Sequence, residues 1–243
     1  MTEPAPHLPE AVLRPVRGHH AFEACVEQLA TAIRLGVYPR GTRLPAEREL
    51  AERLQVSRTT LREAMAALRQ AGLVETTRGR GGGTVVTLRP RHPSARAAAR
   101  VTVTKRRDWL DSLEFRRVAE PGAARRAADL ELTDVQRAQL EQAHADVAAA
   151  RKPAEHRQAD SRFHLTVAAL SESPRLVEAV TSVQATLHEM LLAIPVLEAN
   201  IAHSDRQHAR LVTAILAGEA DRARRVMEEH CDDTAALLRG LVG

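Results

Sequence analysis

Residues 41–86 read GTRLPAERELAERLQVSRTTLREAMAALRQAGLVETTRGRGGGTVV, and this stretch decides the fold of the first part of the chain. From Thr59 to Gln70, apolar residues recur at three- and four-residue spacing, which predicts a helix with one buried face. Ser57 stands where an N-cap hydroxyl would accept a hydrogen bond from a free backbone N–H. A shorter amphipathic helix precedes it, and Gln55-Val56 between them leaves room only for a turn. The expected buried residues of the second helix are Leu61, Ala64, Met65 and Leu68.

A glycine-rich hairpin is predicted directly after the two helices. Two β-branched runs, 73–77 and 84–87, flank the segment RGRGGG at 78–83. A tip made of glycines and two arginines can lie against phosphates or enter a minor groove, where larger side chains would clash. The pattern therefore predicts a winged helix-turn-helix, in which the second helix enters the major groove of DNA. The outward face of that helix carries Arg58, Thr59, Arg62 and Arg69. The alternative, an ordinary helical hairpin with a solvated arginine face, does not account for the hairpin.

The charge of the chain divides sharply along its length. Residues 1–107 contain 19 Lys and Arg against 9 Asp and Glu, whereas residues 108–243 contain 16 against 22. A basic part followed by an acidic part is expected when only the first part meets nucleic acid. The two cysteines, Cys25 and Cys231, fall in separate predicted helices and suggest no disulfide framework. With no run of 18 apolar residues, we expect no membrane segment and a cytoplasmic location.

The positions of proline and glycine, which interrupt helices, predict the domain organisation. We expect a loose arm over 1–18, a winged helix-turn-helix domain over 19–88, a linker over 89–107 and an all-helical domain over 108–243. In the last domain nothing has the alternation of a strand. Its helical patterns predict an antiparallel bundle, so the expected fold is mainly α. The predicted helices are 108–129, 133–151, 155–171, 174–194, 198–217 and 219–239.

One group of ionisable residues in the helical domain has the composition of a metal site. Asp160 and His164 lie four residues apart and share a helix face. His208 and His230 lie on the fifth and sixth predicted helices of the domain. Three imidazoles and a carboxylate from three helices can bind a first-row divalent ion inside a bundle. The alternative is that these histidines are solvated or cap helices, and spacing by itself leaves both interpretations open.

The first part of the chain resembles the DNA-binding domain of GntR-type bacterial transcription regulators. The resemblance covers about residues 22–86 and rests on LPAERELA at 44–51, VSRTTLREA at 56–64 and GLV at 72–74. It implies that Arg48, Arg58 and Arg62 contact bases or phosphates and that Ser57 and Thr59 contact the DNA backbone. At the hairpin tip, Arg78 and Gly79 are the expected contacts, with Gly79 reaching the minor groove. Three glycines at 81–83 stand where the family usually has one, which predicts a longer hairpin.

The second part resembles the FCD domain, which follows the DNA-binding domain in the FadR-like branch of that family. The matching elements are LEFR at 113–116 with Glu120, Asp160-x3-His164, His208 followed by AILAG at 214–218, and Met227-x2-His230. The resemblance implies that Asp160, His164, His208 and His230 bind a divalent metal, zinc or nickel. It also implies that Arg116 pairs with a carboxylate of a small organic-acid effector. The alternative for Arg116 is an i,i+4 pair with Glu120 on the helix surface.

These features lead to a prediction of a transcription repressor whose binding to DNA is controlled by the effector. A homodimer on a short palindromic operator is expected, because two-fold symmetric dimers match two-fold symmetric sites. The second hypothesis is a metal-dependent hydrolase with a DNA-binding appendage. Such an enzyme needs a general base. Glu155 and Glu189 are the nearest candidates, and neither lies at motif spacing beside the expected ligands. A third, a non-specific nucleoid protein, leaves the acidic helical domain without a role.

Overall fold

The computed structural model describes residues 8–16, 21–77, 82–88, 103–194 and 198–242. They divide into two compact units, the first before residue 90 and the second after it. Both are mainly helical, as predicted, and the only sheet among the described residues has two strands. No helix in the described part of the chain is long and apolar enough to span a lipid bilayer.

The first unit is a winged helix-turn-helix. Its strands are antiparallel and place Val74 opposite Val86. The chain just before the first helix of the motif adds to this sheet, because Leu44 donates its N–H to the carbonyl of Thr84 at 2.8 Å. Its elements are α1 (Leu8–Val12), α2 (Ala21–Arg34), α3 (Glu47–Leu54), α4 (Arg58–Gln70), β1 (Val74–Thr77) and β2 (Gly83–Val86).

Local chemistry explains how α3 and α4 are joined. Helix α3 ends at Gln55, whose φ of 52° lies in the left-handed region and turns the chain sharply. Helix α4 then begins with Ser57 as its N-cap, and the Ser57 hydroxyl accepts the N–H of Thr60 at 3.0 Å. The predicted cap and the predicted buried face of α4 are both confirmed. The buried residues are Leu61, Ala64, Met65 and Leu68.

The N-terminal segment differs from the loose arm that the sequence predicted over 1–18. Residues 8–16 form α1 and a short extended stretch that pack on the rest of the unit. Val12 and Leu13 are only 4% and 3% exposed, so they belong to the core. The N–H of Val16 donates to the carbonyl of Leu54 at 2.7 Å, at the end of α3. The prolines had suggested a segment without fixed structure. Two buried side chains and a backbone hydrogen bond to a distant helix hold it against the rest of the unit.

A glycine in the hairpin leaves room for an arginine from outside it. A Cβ on Gly83 would lie 3.1 Å from Cδ of Arg43. The guanidinium of Arg43 crosses the hairpin, where Nη1 donates to the carbonyl of Gly82 at 3.0 Å. At least one of the three glycines that depart from the family pattern therefore has a packing reason.

The second unit is a bundle of long helices. Its helices are α5 (Val103–Asp129), α6 (Asp134–Ala149), α7 (Pro153–Leu170), α8 (Pro174–Leu192), α9 (Glu198–Leu216) and α10 (Ala220–Val242). Among the described residues of this unit, the predicted number and order of the helices are confirmed. Helix α5 begins before the expected residue 108, so residues 103–107 of the predicted linker are helical, and it continues through Pro121. Residues 89–102 lie outside the described part of the chain.

The bundle buries its apolar residues in two clusters. The larger cluster joins α5, α6, α7, α9 and α10 around Phe163 and Leu140, both fully buried. The smaller one joins α5, α8 and α10 around Trp109 and Met190. Several buried polar residues of the second unit, among them Arg116, Glu120 and three histidines, form the candidate site described below.

Candidate functional site

The exposed face of α4 presents the predicted DNA-contacting side chains. Arg58, Thr59 and Arg62 are all exposed. Arg58 makes no hydrogen bond or ion pair with any described residue. Arg62 pairs with Glu47 at the start of α3, with 3.0 Å between Nε and Oε2. An exposed pair of this kind contributes little stability, so a phosphate or a base can replace Glu47 at small cost.

The other predicted DNA contacts have different environments. Arg48 is exposed and pairs with Glu52 one turn later on α3, at 3.1 Å. The Ser57 hydroxyl serves as the N-cap of α4 and also lies 2.8 Å from the hydroxyl of Thr60. Arg78 and Gly79, predicted at the hairpin tip, lie outside the described residues.

In the second unit, three predicted metal ligands come together. His164 on α7, His208 on α9 and His230 on α10 each offer one ring nitrogen, and these three atoms lie within 4.8 Å of one another. Their ring centroids are 4.8–5.3 Å apart. All three side chains are at least 96% buried. Such a set matches the ligands and spacing of a divalent transition-metal site.

Burial keeps two of these imidazoles neutral. Loss of hydration lowers the pKa of His208 and of His230 well below the ordinary value, and neighbouring positive groups lower it further. Only a neutral imidazole has a lone pair for a metal, so both rings are in the form that can bind one near neutral pH.

The ring of His230 is held by a second layer of contacts. Its Nδ1 lies 3.1 Å from Oε1 of Gln207. The Gln207 amide nitrogen donates to Asp233 at 2.7 Å, which turns the amide oxygen toward the histidine. Nδ1 of His230 is therefore the donor, and Nε2 is left for another partner. Ligating histidines in proteins are commonly oriented in this way.

Asp160, the fourth predicted ligand, lies beside the three imidazoles. Its Oδ1 is 3.6 Å from Nε2 of His208, too far for a hydrogen bond. Two ligands of one tetrahedral ion stand roughly 3.3–3.5 Å apart, given bonds of about 2.1 Å. His208 also has a buried Nδ1 with no hydrogen-bond partner among the described residues. The three histidines form the group with metal-ligand spacing, and Asp160 lies next to it, at its contact with His208.

Arg116 pairs with Glu120, but the pair is not on the helix surface as the alternative interpretation expected. Both side chains are 1% exposed, and Nε of Arg116 lies 3.1 Å from Oε1 of Glu120. Burial would raise the pKa of the Glu120 carboxyl, yet the charge of Arg116 and the nearby His164 hold it well below its usual range. Nη1 of Arg116 is buried and has no hydrogen-bond partner among the described residues.

A cavity of about 90 Å³ opens next to this group of residues. Polar residues of its lining include Arg116, Asp160 and His230, together with Arg157 and Ser204. Apolar residues make up much of the rest. The cavity therefore places a guanidinium and two predicted metal ligands at one surface. The apolar lining residues are Pro153, Leu187, Leu191, Ile194, Ile201 and Leu237.

Comparison with known proteins identifies both units. Residues 22–86 match the family described as "Bacterial regulatory proteins, gntR family", and residues 111–233 match the FCD domain. The Mycobacterium gastri protein RmpR, named as an HTH-type transcriptional regulator, is 34% identical over 86% of this chain and 76% of its own. The chain belongs to the GntR family. It is a DNA-binding transcription regulator with an FCD effector-binding domain.

Two further relatives agree with this assignment. The Glc operon transcriptional activator of Escherichia coli is 30% identical, over 86% of this regulator and 85% of the activator. The HTH-type transcriptional regulator LutR of Bacillus subtilis is 27% identical, over 86% and 96%. Among solved structures, McbR/YncC of E. coli shares the fold, with a TM-score of 0.55 at 19% identity over 92% of this chain and 99% of its own. These relatives are regulators and not enzymes, which decides against the hydrolase hypothesis.

Sequence reasoning missed several residues that shape the site. The sequence presented Glu120 as a partner of Arg116 and as part of the family resemblance. Its position beside His164 could not be seen from spacing. Gln207 lies one residue before His208, and only the packing of α9 on α10 shows that it orients His230. Arg157 lies within the motif-bearing helix α7, but nothing in its spacing points to a cavity.

Proposed function

We propose that this GntR regulator binds a divalent metal ion through Asp160, His164, His208 and His230, and a small carboxylate effector in the adjoining cavity. The observation that carries the proposal is the cluster of three buried imidazoles beside a cavity that a buried guanidinium lines. A bound divalent ion would act as a Lewis acid toward a carboxylate oxygen of the effector. Zinc or nickel suits a set of imidazoles and a carboxylate.

Arg116 is the residue that we propose as the effector anchor. Its Nε is committed to Glu120, whereas Nη1 is buried without a hydrogen-bond partner among the described residues, and Arg116 lines the same cavity as His230. A buried donor without a partner is costly, and a carboxylate oxygen would satisfy it with a charge-assisted hydrogen bond. The cavity volume of about 90 Å³ suits a small organic acid.

We further propose that the regulator acts as a homodimeric repressor on a palindromic operator. Helix α5 carries an exposed apolar stripe, with Phe115 48% and Val118 73% exposed. Gly122, one turn beyond Val118, has open space where a Cβ would lie, so a second helix can approach closely there. A second copy of the chain is the partner that a two-fold operator requires. The predicted cytoplasmic location stays a prediction.

The test of the metal centre is elemental analysis of purified protein with and without His208→Ala. Wild-type protein should carry close to one divalent ion per chain, and the variant should lose most of it because one ligand is removed. Thr213→Ala is the matched control, since that residue lies on the same helix, is exposed and donates its hydroxyl to the carbonyl of Ala209 one turn earlier. Metal-free wild-type protein that gains no thermal stability from zinc or nickel would contradict the proposal.

The effector and the direction of control are tested together. Small carboxylates are screened for a change in the affinity of metal-loaded protein for its operator, measured by fluorescence anisotropy. We expect one class of carboxylate to release the protein from DNA, and Arg116→Gln to remove that response while leaving operator binding intact. Transcript levels of the regulated genes should rise when the regulator is deleted. A fall in those transcripts would show activation instead.

A further inference from the structure

Glu120 lies at the centre of the polar interior of the second unit, and both of its carboxylate oxygens have partners. Oε1 accepts hydrogen bonds from Nε of Arg116 at 3.1 Å and from Nε2 of Gln184 at 2.7 Å. Oε2 lies 2.8 Å from Nδ1 of His164. The residue is 2% exposed and does not line the cavity. The Cys231 thiol of α10 also donates to Oε2, with 3.9 Å between Sγ and the oxygen. Four helices therefore meet at a single buried carboxylate.

The contact between Glu120 and His164 determines where the histidine carries its proton. The carboxylate is ion-paired with the Arg116 guanidinium, with 3.1 Å between Nε and Oε1, and it accepts a further hydrogen bond from Gln184. Two lone pairs 2.8 Å apart would repel, so the proton at this contact belongs to Nδ1 of His164. Within the described part of the chain, Nε2 has no hydrogen-bond partner, and Nδ1 has only the short contact with Oε2 of Glu120, which is not aligned as a full hydrogen bond. Nε2 is then the atom with a free lone pair.

We propose that Glu120 is a positioning residue that fixes the tautomer and orientation of His164, so that Nε2 faces the metal centre. Glu120 itself would contact neither the metal nor the effector. This inference rests on the proposed function, because His164 is one of the proposed ligands. A carboxylate behind a ligating histidine typically contributes a factor of 10–100 to metal affinity.

Glu120→Gln is the decisive substitution because it keeps the shape of the side chain. Arg116 and Gln184 both donate to the same oxygen, and they would hold the amide oxygen of the new glutamine. The amide NH2 would then face Nδ1 of His164 and donate to it, which moves the ring proton to Nε2. The variant should therefore bind zinc roughly 10–100-fold more weakly, measured by competition with a chromogenic chelator.

Two further variants separate positioning from general damage to the fold. Glu114→Gln is the matched control, since Glu114 lies on the same helix, is exposed and pairs with Arg239. It should bind zinc like the wild type. In a His164→Ala background, Glu120→Gln should cause little further loss of zinc affinity, because residues that act through one another are not additive. A purely structural role would lower the affinity in both backgrounds.

A double variant and spectroscopy serve as controls for misfolding. Glu120→Gln leaves Arg116 as a buried cation without a counter-charge, so Arg116→Gln/Glu120→Gln is measured as well. Both should retain the far-ultraviolet circular dichroism of the wild type. When cobalt replaces zinc, the visible d–d spectrum should change in each variant, since His164 no longer binds in the same way.

The outcomes distinguish the inference from the proposed function. Wild-type protein that binds zinc, together with a folded double variant that binds it within twofold of the wild type, would overturn the role of Glu120 and leave the metal centre intact. Wild-type protein that binds no zinc would overturn the metal centre, and the inference about Glu120 with it.

Discussion

Buried charge in the second unit is concentrated on a few side chains. Arg116 and Glu120 are both withdrawn from water, and burying an ion pair costs free energy unless further hydrogen bonds satisfy it. Glu120 has those additional bonds, whereas Nη1 of Arg116 does not. A protein that keeps such an unsatisfied cation next to a cavity gives up some stability, and a bound anion would recover it.

In the first unit, the residue that most directly tests the assignment of α4 is Arg58. Arg58→Ala should abolish discrimination of the operator, because each lost base contact costs roughly 1–3 kcal/mol. Helix content and oligomeric state should not change, since the Arg58 side chain makes no hydrogen bond or ion pair with a described residue. The measurement is the ratio of affinities for operator and random DNA at fixed salt. Arg34→Ala, an exposed arginine in the last turn of α2, is the control and should keep the ratio. Unchanged protection of the operator in footprinting with Arg58→Ala would refute the role of α4 as the reader.

Two elements have a larger role than the sequence suggested. The segment of α1 completes the core of the first unit and continues to the end of α3, where Val16 donates to Leu54. The backbone of Arg14 also donates to the side chain of Gln28 on α2, at 2.9 Å. These contacts tie the N-terminal residues to the two helices that support α4.

Leu13→Ala should destabilise the first unit, because Leu13 is 3% exposed and its truncation leaves a cavity. The free energy of unfolding should fall by roughly 2–4 kcal/mol, as for other buried leucines. Chemical denaturation followed by circular dichroism measures this change. Leu8→Ala is the comparison, because Leu8 is only partly buried and should cost clearly less. Equal, negligible losses at both positions would show that the segment is loose in solution.

The exposed apolar stripe of α5 leads to a prediction about how the chain assembles. Val118→Glu places a charge at a site that is 73% exposed in a single chain, where a monomer would tolerate it. A dimer that packs α5 against a second copy would bury that charge and dissociate. Sedimentation equilibrium at micromolar concentration should show monomers for this variant. Val135→Glu, at a 61% exposed position on α6, should leave the dimer unchanged. A dimeric Val118→Glu protein would place the interface elsewhere.

The two units of the molecule differ in charge and in chemistry. Residues 8–90 contain 13 arginines against 8 glutamates, whereas residues 91–243 contain 22 basic and 22 acidic residues. The first unit exposes arginines toward solvent, whereas the second unit buries Arg116 and three imidazoles inside a helical core. DNA binding and effector binding therefore use separate parts of the chain. The second unit's stability should depend on what occupies its polar interior.

Metal-free protein should lose stability as the pH falls. The pKa values of His208 and His230 are lowered in the folded state, so below about 6.5 the unfolded chain binds protons that the folded chain does not. Stability is full above that pH and falls by up to about 1.4 kcal/mol per pH unit for each histidine, until the folded pKa is reached. Urea unfolding of chelator-treated protein between pH 7.5 and 5 would measure the slope, with His208→Asn expected to reduce it. A slope equal in variant and wild type would contradict this.

Features that depend on neighbours along the chain could largely be predicted from the sequence. The periodicity of α4, the N-cap of Ser57, the order of the helices and the placement of Asp160 and His164 on one helix face all follow from local spacing. The family resemblance favoured a metal site for these two residues together with His208 and His230. Contacts between distant residues were decided by the tertiary fold. It placed α1 in the core, withdrew Arg116 and Glu120 from water and set Glu120 against His164, because those contacts join residues far apart in the sequence or depend on which helix face the bundle covers.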